Sequence, residues 1–129
     1  MGSIRNMVLE QDQGNDKGVW QMLYDIIVIL WLHFAADFIL QTDYVACNKS
    51  KNNKILALHA AIYTVPLVLF GVSFALVNGI AHFVVDWCTS RATSYLWQNE
   101  KRHWFFVMIG FDQAVHVTCL VLTYMWLAK

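Results

Sequence analysis

The chain is divided into long apolar stretches separated by short polar connections. The apolar stretches, which contain no Lys, Arg or Glu, are Val19–Gln41, Ile55–Ser90 and Trp104–Leu127. A helix needs about 20 mostly apolar residues to cross a bilayer, so the first and last stretches each predict one span. The middle stretch is too long for one span and breaks at Gly71-Val72-Ser73. The pattern therefore predicts four transmembrane helices, at about 19–41, 55–70, 74–97 and 104–127.

Aromatic residues and the low charge support a membrane protein rather than a soluble bundle. Trp20 lies at the start of the first predicted helix, Trp97 at the end of the third and Trp104 at the start of the fourth. Trp favours the membrane interface because its ring is apolar and its edge is polar. Only 14% of the residues are charged, whereas soluble domains carry about 25%. We expect an all-α, integral membrane four-helix bundle over residues 19–129, preceded by a polar, weakly ordered segment over residues 1–18.

The basic residues predict how the bundle is oriented. The side of the membrane with the connections after the first and third helices carries six of them, and the side with the two ends of the chain carries three: Lys49, Lys51, Lys54, Arg91, Lys101 and Arg102 against Arg5, Lys17 and Lys129. The positive-inside rule places those connections in the cytoplasm and both termini outside. The formal net charge is zero, which gives no reason to expect a nucleic-acid partner. The expected partners are membrane lipid and, as alternatives, a second copy or another membrane protein.

Ionisable side chains recur inside the predicted spans, where each is costly and indicates a function. Three His/Asp pairs with a spacing of four and one single His make up this set: His33 with Asp37, His82 with Asp86, Asp112 with His116, and His59. A spacing of four places both members of a pair on one helical face. All seven side chains lie toward the leaflet of the basic connections. One pair alone can be structural, but three pairs at a shared depth predict a metal site in the bundle core.

The residue types narrow the choice of metal. Imidazole and carboxylate ligands suit zinc, with manganese or iron as alternatives, and argue against a soft thiolate site. Seven candidate ligands exceed the four that one tetrahedral zinc takes. Either two ions bind, or some of these residues orient the ligands of a single ion. Cys47, Cys88 and Cys119 are too widely spaced for a zinc finger or a disulfide framework.

The same motifs resemble a known family. They are His33-x-x-x-Asp37-Phe38-x-Leu40-Gln41 with Thr42-Asp43, then Lys54 and His59, then Asn78-x-x-x-His82-x-x-x-Asp86, then Phe111-Asp112-Gln113-x-x-His116. They resemble the small bacterial and phage membrane proteins grouped as the domain-of-unknown-function family thirty-three-oh-seven. The resemblance covers about Leu32–Val117 and implies a helical membrane architecture rather than an activity. The chain is more loosely similar to membrane-bound metal-dependent hydrolases.

Three functions are compatible with these features. The first is a metal-dependent hydrolase of a membrane phosphoester or lipid, in which Asp37 accepts a proton and Arg91 holds a phosphate together with Lys49, Lys51 and Lys54. The second is a non-enzymatic membrane binding or interaction protein with a structural metal site. The third is an ion or proton carrier that uses the buried carboxylates and imidazoles, although four spans leave little room for an alternating-access mechanism.

Overall fold

Helices account for nearly all of the protein in the computed structural model, which describes residues 2–127. In chain order they are α1 (Gly2–Phe34), continued by a π-helical turn (Ala35–Ile39), α2 (Asp43–Asn48), α3 (Asn53–Leu67), continued by a 3-10 turn (Val68–Phe70), α4 (Val72–Gln98) and α5 (Arg102–Leu127). No strand occurs within residues 2–127. The fold is all-α, as the apolar pattern predicts.

Four segments are long and apolar enough to cross a membrane. They are Asp16–Ile39, Asn53–Phe70, Val72–Gln98 and Arg102–Leu127. Large apolar side chains cover their outer surfaces; Trp31 and Ile80, for example, are each 67% exposed. Such a surface fits lipid rather than water, and the predicted membrane bundle of four long helices is confirmed. The polar residues 2–18 lie on α1 together with the first span, and the weak order expected of them stays a prediction.

The turn between α3 and α4 is made by Gly71. Its φ of 121° lies in a region that side-chain-bearing residues rarely adopt. Pro66 lies in the last turn of α3, after which the chain tightens into the 3-10 turn Val68–Phe70. This compact reversal lets α3 and α4 run antiparallel and side by side.

The interior of the bundle has two layers. Near the α3–α4 turn the core is apolar and includes Ile29, Leu67, Phe74 and Leu120. Nearer the opposite end of the bundle, buried imidazoles and carboxylates replace the apolar side chains. Tyr63, which is 1% exposed, lies between the two layers and stacks on the His82 ring at a centroid distance of 3.9 Å. The apolar layer therefore supports a polar one that contains the candidate site.

Gly79 allows α3 and α4 to approach closely, which gives a first prediction. A Cβ at this position would overlap Thr64 Oγ1, and that hydroxyl is held by its hydrogen bond to the Ala60 carbonyl (2.7 Å). Gly79→Ala should therefore lower the free energy of unfolding by about 1–3 kcal/mol. Thermal unfolding in detergent checks this. The control is Gly110→Ala, because a Cβ there meets nothing within 4 Å; equal midpoints for the two variants would contradict the prediction.

Candidate metal centre

Asp37 enters the bundle interior from the π-helical turn. The turn closes with a hydrogen bond from the Leu40 N–H to the Ala35 carbonyl (2.9 Å), one residue longer than in an α-helix. Turns of this kind are frequent at functional sites. Asp37 is only 4% exposed, and its Oδ1 lies 3.0 Å from His59 Nε2 on α3. The π turn thus joins the first span to the polar layer.

Four donor atoms from three helices form the first ligand group. They belong to Asp37, His59, His82 and Asp86, all of which are buried. His59 Nε2 lies 3.1 Å from His82 Nε2, 3.0 Å from Asp37 Oδ1 and 3.5 Å from Asp86 Oδ2. His82 Nε2 lies 3.6 Å from Asp37 Oδ1 and 3.7 Å from Asp86 Oδ2. All five distances therefore fall between 3.0 and 3.7 Å.

These distances match the spacing of ligands around one metal ion. Four donors bound tetrahedrally at about 2.1 Å lie about 3.4 Å from one another. A hydrogen-bond network explains the cluster less well, because His59 Nε2 can carry only one hydrogen while three donor or acceptor atoms surround it. A cation in the middle would contact all four atoms.

A second group adjoins the first and shares Asp37 with it. Its other members are Asp112 and His116, both on α5. His116 Nε2 lies 3.4 Å from Asp112 Oδ1 and 3.2 Å from Asp86 Oδ1. Thr89 Oγ1 donates to Asp112 Oδ1 (2.5 Å), which fixes the orientation of that carboxylate. The two groups together contain six of the seven residues in the predicted set of three His/Asp pairs and one single His.

A cavity of about 300 Å³ opens beside the cluster. The carboxylates of Asp37, Asp86 and Asp112 line it. The other polar side chains that line it are Gln41, Lys49, Thr89, Ser90, Thr93 and Gln113. The apolar ones are Phe38, Ala46, Phe105 and Ile109. Gln41 Oε1 and Ser90 Oγ are buried and have no hydrogen-bond partner among the described residues. The cavity therefore offers polar groups that are free to contact a ligand.

Comparison with known proteins identifies the family. The family model "Protein of unknown function (DUF3307)" matches residues 26–129. The chain belongs to this family. The match contains every residue of both ligand groups and confirms the resemblance that the motifs indicate. No curated protein and no solved structure matches the chain. Since the DUF3307 description assigns no activity, the function has to be inferred from the site itself.

The sequence predicts His33 to be a ligand, but in the structure of this DUF3307 protein it lies outside both ligand groups. Its Nε2 lies 3.0 Å from Gln113 Oε1. Gln113 Nε2 in turn donates to Asp37 Oδ2 (2.8 Å) and Asp112 Oδ2 (3.1 Å). The structure thus places His33 next to the side-chain amide of Gln113, which orients the carboxylates of Asp37 and Asp112. Gln113 is part of the sequence motif, but its spacing alone does not indicate this bridging position.

Lys49 reaches the cluster directly, which its place in a basic connection does not indicate. Its Nζ forms an ion pair with Asp86 Oδ2 at 2.7 Å, and its side chain is only 16% exposed. The short helix α2 brings it there: Thr42 Oγ1 accepts from the Val45 N–H at the start of α2, and Lys49 follows the last residue of that helix. In the sequence, Lys49 differs in no obvious way from Lys51 as a basic loop residue.

Arg91, expected to hold a phosphate at the site, lies away from the cavity. Its Nη1 donates to the Trp87 carbonyl and its Nη2 to Asn53 Oδ1, both at 2.7 Å. The guanidinium also covers the Trp87 ring at 4.4 Å from the centroid. These contacts connect α4 to the start of α3, and Arg91 does not line the cavity. The geometry favours Lys49 over Arg91 as the cation nearest to a bound anion.

Proposed function

We propose that this DUF3307 protein is a membrane-embedded metal-dependent hydrolase that cleaves a phosphoester of a lipid or a related amphiphile. The observation that carries the proposal is the buried cluster of imidazoles and carboxylates, whose three carboxylates line a cavity. The donor set suits zinc, manganese or iron. A bound ion of this kind activates water and polarises a phosphoryl oxygen.

The cavity walls support an amphiphilic substrate. Phe38, Phe105 and Ile109 provide an apolar surface, and Phe38 is also 46% exposed on the outside of the bundle. This apolar surface can receive an acyl chain that enters from the bilayer. The unpartnered Ser90 Oγ and Gln41 Oε1 can contact the polar headgroup. A phosphodiester between these two regions would face the carboxylate cluster.

Lys49 supplies the positive charge that a phosphate needs. Its ammonium contacts the same oxygen, Asp86 Oδ2, that belongs to the first ligand group. A cation bound to that oxygen would repel the ammonium, and Lys49, which lines the cavity, would then be available to hold a phosphate there. Asp37 acts as a ligand in this arrangement rather than as the proton acceptor, since both of its oxygens already contact cluster side chains.

A lipid screen tests the proposed function. The purified protein, loaded with Zn²⁺, Mn²⁺ or Fe²⁺, is incubated with bacterial lipid extract, and released phosphate and headgroups are measured by mass spectrometry. We expect consumption of at least one phospholipid by the metal-loaded protein and none after chelation. If no lipid is consumed under any metal, hydrolysis is rejected, and a binding protein with a structural metal site becomes the better explanation.

We also propose that the basic connections face the cytoplasm of a bacterial inner membrane, with both termini outside. In a background without the native cysteines, Asn6→Cys should react with an impermeant maleimide on intact cells. Asn52→Cys and Gln98→Cys, both at exposed positions, should react only after the cells are opened. Labelling of Asn52→Cys on intact cells would reverse the proposed orientation.

A further inference from the structure

We infer that the centre holds two divalent cations, bridged by the carboxylates of Asp37 and Asp86. This inference rests on the proposed metal function and deepens it. The first ion is held by His59 and His82, and the second by Asp112 and His116. Each bridging carboxylate contributes one oxygen to each ion.

The two carboxylate oxygens of Asp37 face different ligand groups. Oδ1 faces His59 Nε2 at 3.0 Å and His82 Nε2 at 3.6 Å. Oδ2 accepts the Gln113 amide at 2.8 Å, and the same amide contacts Asp112 Oδ2 at 3.1 Å. One oxygen thus lies on the side of the first ion and the other on the side of the second.

The two carboxylate oxygens of Asp86 also face different histidines. Its Oδ2 lies 3.5 Å from His59 Nε2 and 3.7 Å from His82 Nε2, whereas its Oδ1 lies 3.2 Å from His116 Nε2. Its side chain is 2% exposed, so both oxygens are enclosed by the cluster. The His82 and His116 rings stack with a centroid distance of 4.3 Å, which places one histidine of each ion side by side.

A single ion cannot use all six side chains. Donors bound to one ion at up to 2.2 Å lie within about 4.4 Å of one another. Among the described residues, the potential ligand atoms form two overlapping groups within 4.8 Å, with Asp37 common to both. Two ions account for this division, and their separation in such sites is about 3.5–4 Å.

The charges of the cluster suit two ions when an anionic substrate is bound with them. Three carboxylates at this depth face one ammonium, that of Lys49, and uncompensated charge within a span is costly. Together these four groups carry a charge of −2, and two divalent cations would bring it to +2. The excess attracts an anionic oxygen, and paired metal ions stabilise both the attacking and the leaving oxygen of a phosphoester.

Metal titration tests this inference. Metal-stripped protein in detergent is titrated with Zn²⁺ by calorimetry, and the Mn²⁺-loaded protein is examined by electron paramagnetic resonance. We expect two Zn²⁺ per chain and an exchange-coupled Mn²⁺ spectrum for the wild type. His59→Gln and Asp112→Asn should each bind one ion and lose the coupling. The exposed His103 provides the control, His103→Ala, which should behave like the wild type; circular dichroism establishes that each variant is folded.

The outcomes separate this inference from the proposed function. One Zn²⁺ per wild-type chain with an uncoupled Mn²⁺ spectrum overturns the bridged pair, while lipid turnover would still support hydrolysis. Two coupled ions without any lipid turnover support the pair and reject hydrolysis. Because the wild type alone decides the stoichiometry, a variant that does not fold leaves the test intact.

Discussion

Asp86→Ala should destabilise the metal-free protein by about 3–5 kcal/mol, because it removes the partner of a largely buried ammonium. Lys49 Nζ lies 2.7 Å from Asp86 Oδ2, and the two side chains are 16% and 2% exposed. The same substitution takes away the carboxylate next to His59, His82 and His116. We also expect it to abolish binding of both ions.

A double-mutant cycle separates the ion pair from the other contacts of Asp86. Lys49→Met keeps most of the length of the side chain and removes its charge, so Asp86→Ala with Lys49→Met should recover much of the lost stability. Unfolding in chelator-treated detergent solution measures all four proteins. Purely additive effects would show that the ion pair has no energetic role.

Asp112→Asn should reduce lipid turnover by about 10²–10³-fold, since a catalytic ion supplies several kcal/mol of transition-state stabilisation and each 1.36 kcal/mol is tenfold in rate. Asp112 lies at the edge of the cavity with its side chain 13% exposed, and it belongs to the second ligand group. The amide keeps the shape of the side chain and loses the charge. The loss should appear mainly in kcat, because the apolar wall that holds the substrate is unchanged.

Asp25→Asn is the matched control for this variant. Asp25 is a partly buried carboxylate in the same bundle, but it accepts a hydrogen bond from the Tyr124 hydroxyl (2.6 Å) in the apolar half. Its substitution should leave kcat within a few-fold of the wild type. Equal losses for Asp25→Asn and Asp112→Asn would show that activity depends on general carboxylate burial and not on the metal centre.

The spans can be predicted from the sequence because the pattern that indicates them is local. The apolar stretches and the break at Gly71 depend on neighbouring residues, and the structure has a turn at that position. The position of the His/Asp pairs toward one leaflet is also a local property, since it follows from counting along each helix. That count places His59, His82 and His116 toward one leaflet but at different depths, whereas the structure brings their rings next to one another.

The contacts within the layer could not be derived in this way. The π turn at Asp37 and the side-by-side packing of α1 and α5 are tertiary features, and they decide that His33 contacts Gln113 and not the ligand groups. Lys49 reaches Asp86 from the end of α2, which packs against α3. From the sequence, a basic loop residue can be explained either by membrane topology or by a buried ion pair, and no local pattern distinguishes the two explanations.

Elemental analysis of the purified wild-type protein tests the metal centre most directly. The protein is produced in medium containing zinc, manganese and iron, and its metal content is measured before and after chelation together with its thermal midpoint. We expect a transition metal to co-purify at close to two ions per chain, and its removal to lower the midpoint. A metal-free protein that is folded, and whose midpoint is unchanged by chelator or added metal, would contradict the metal centre.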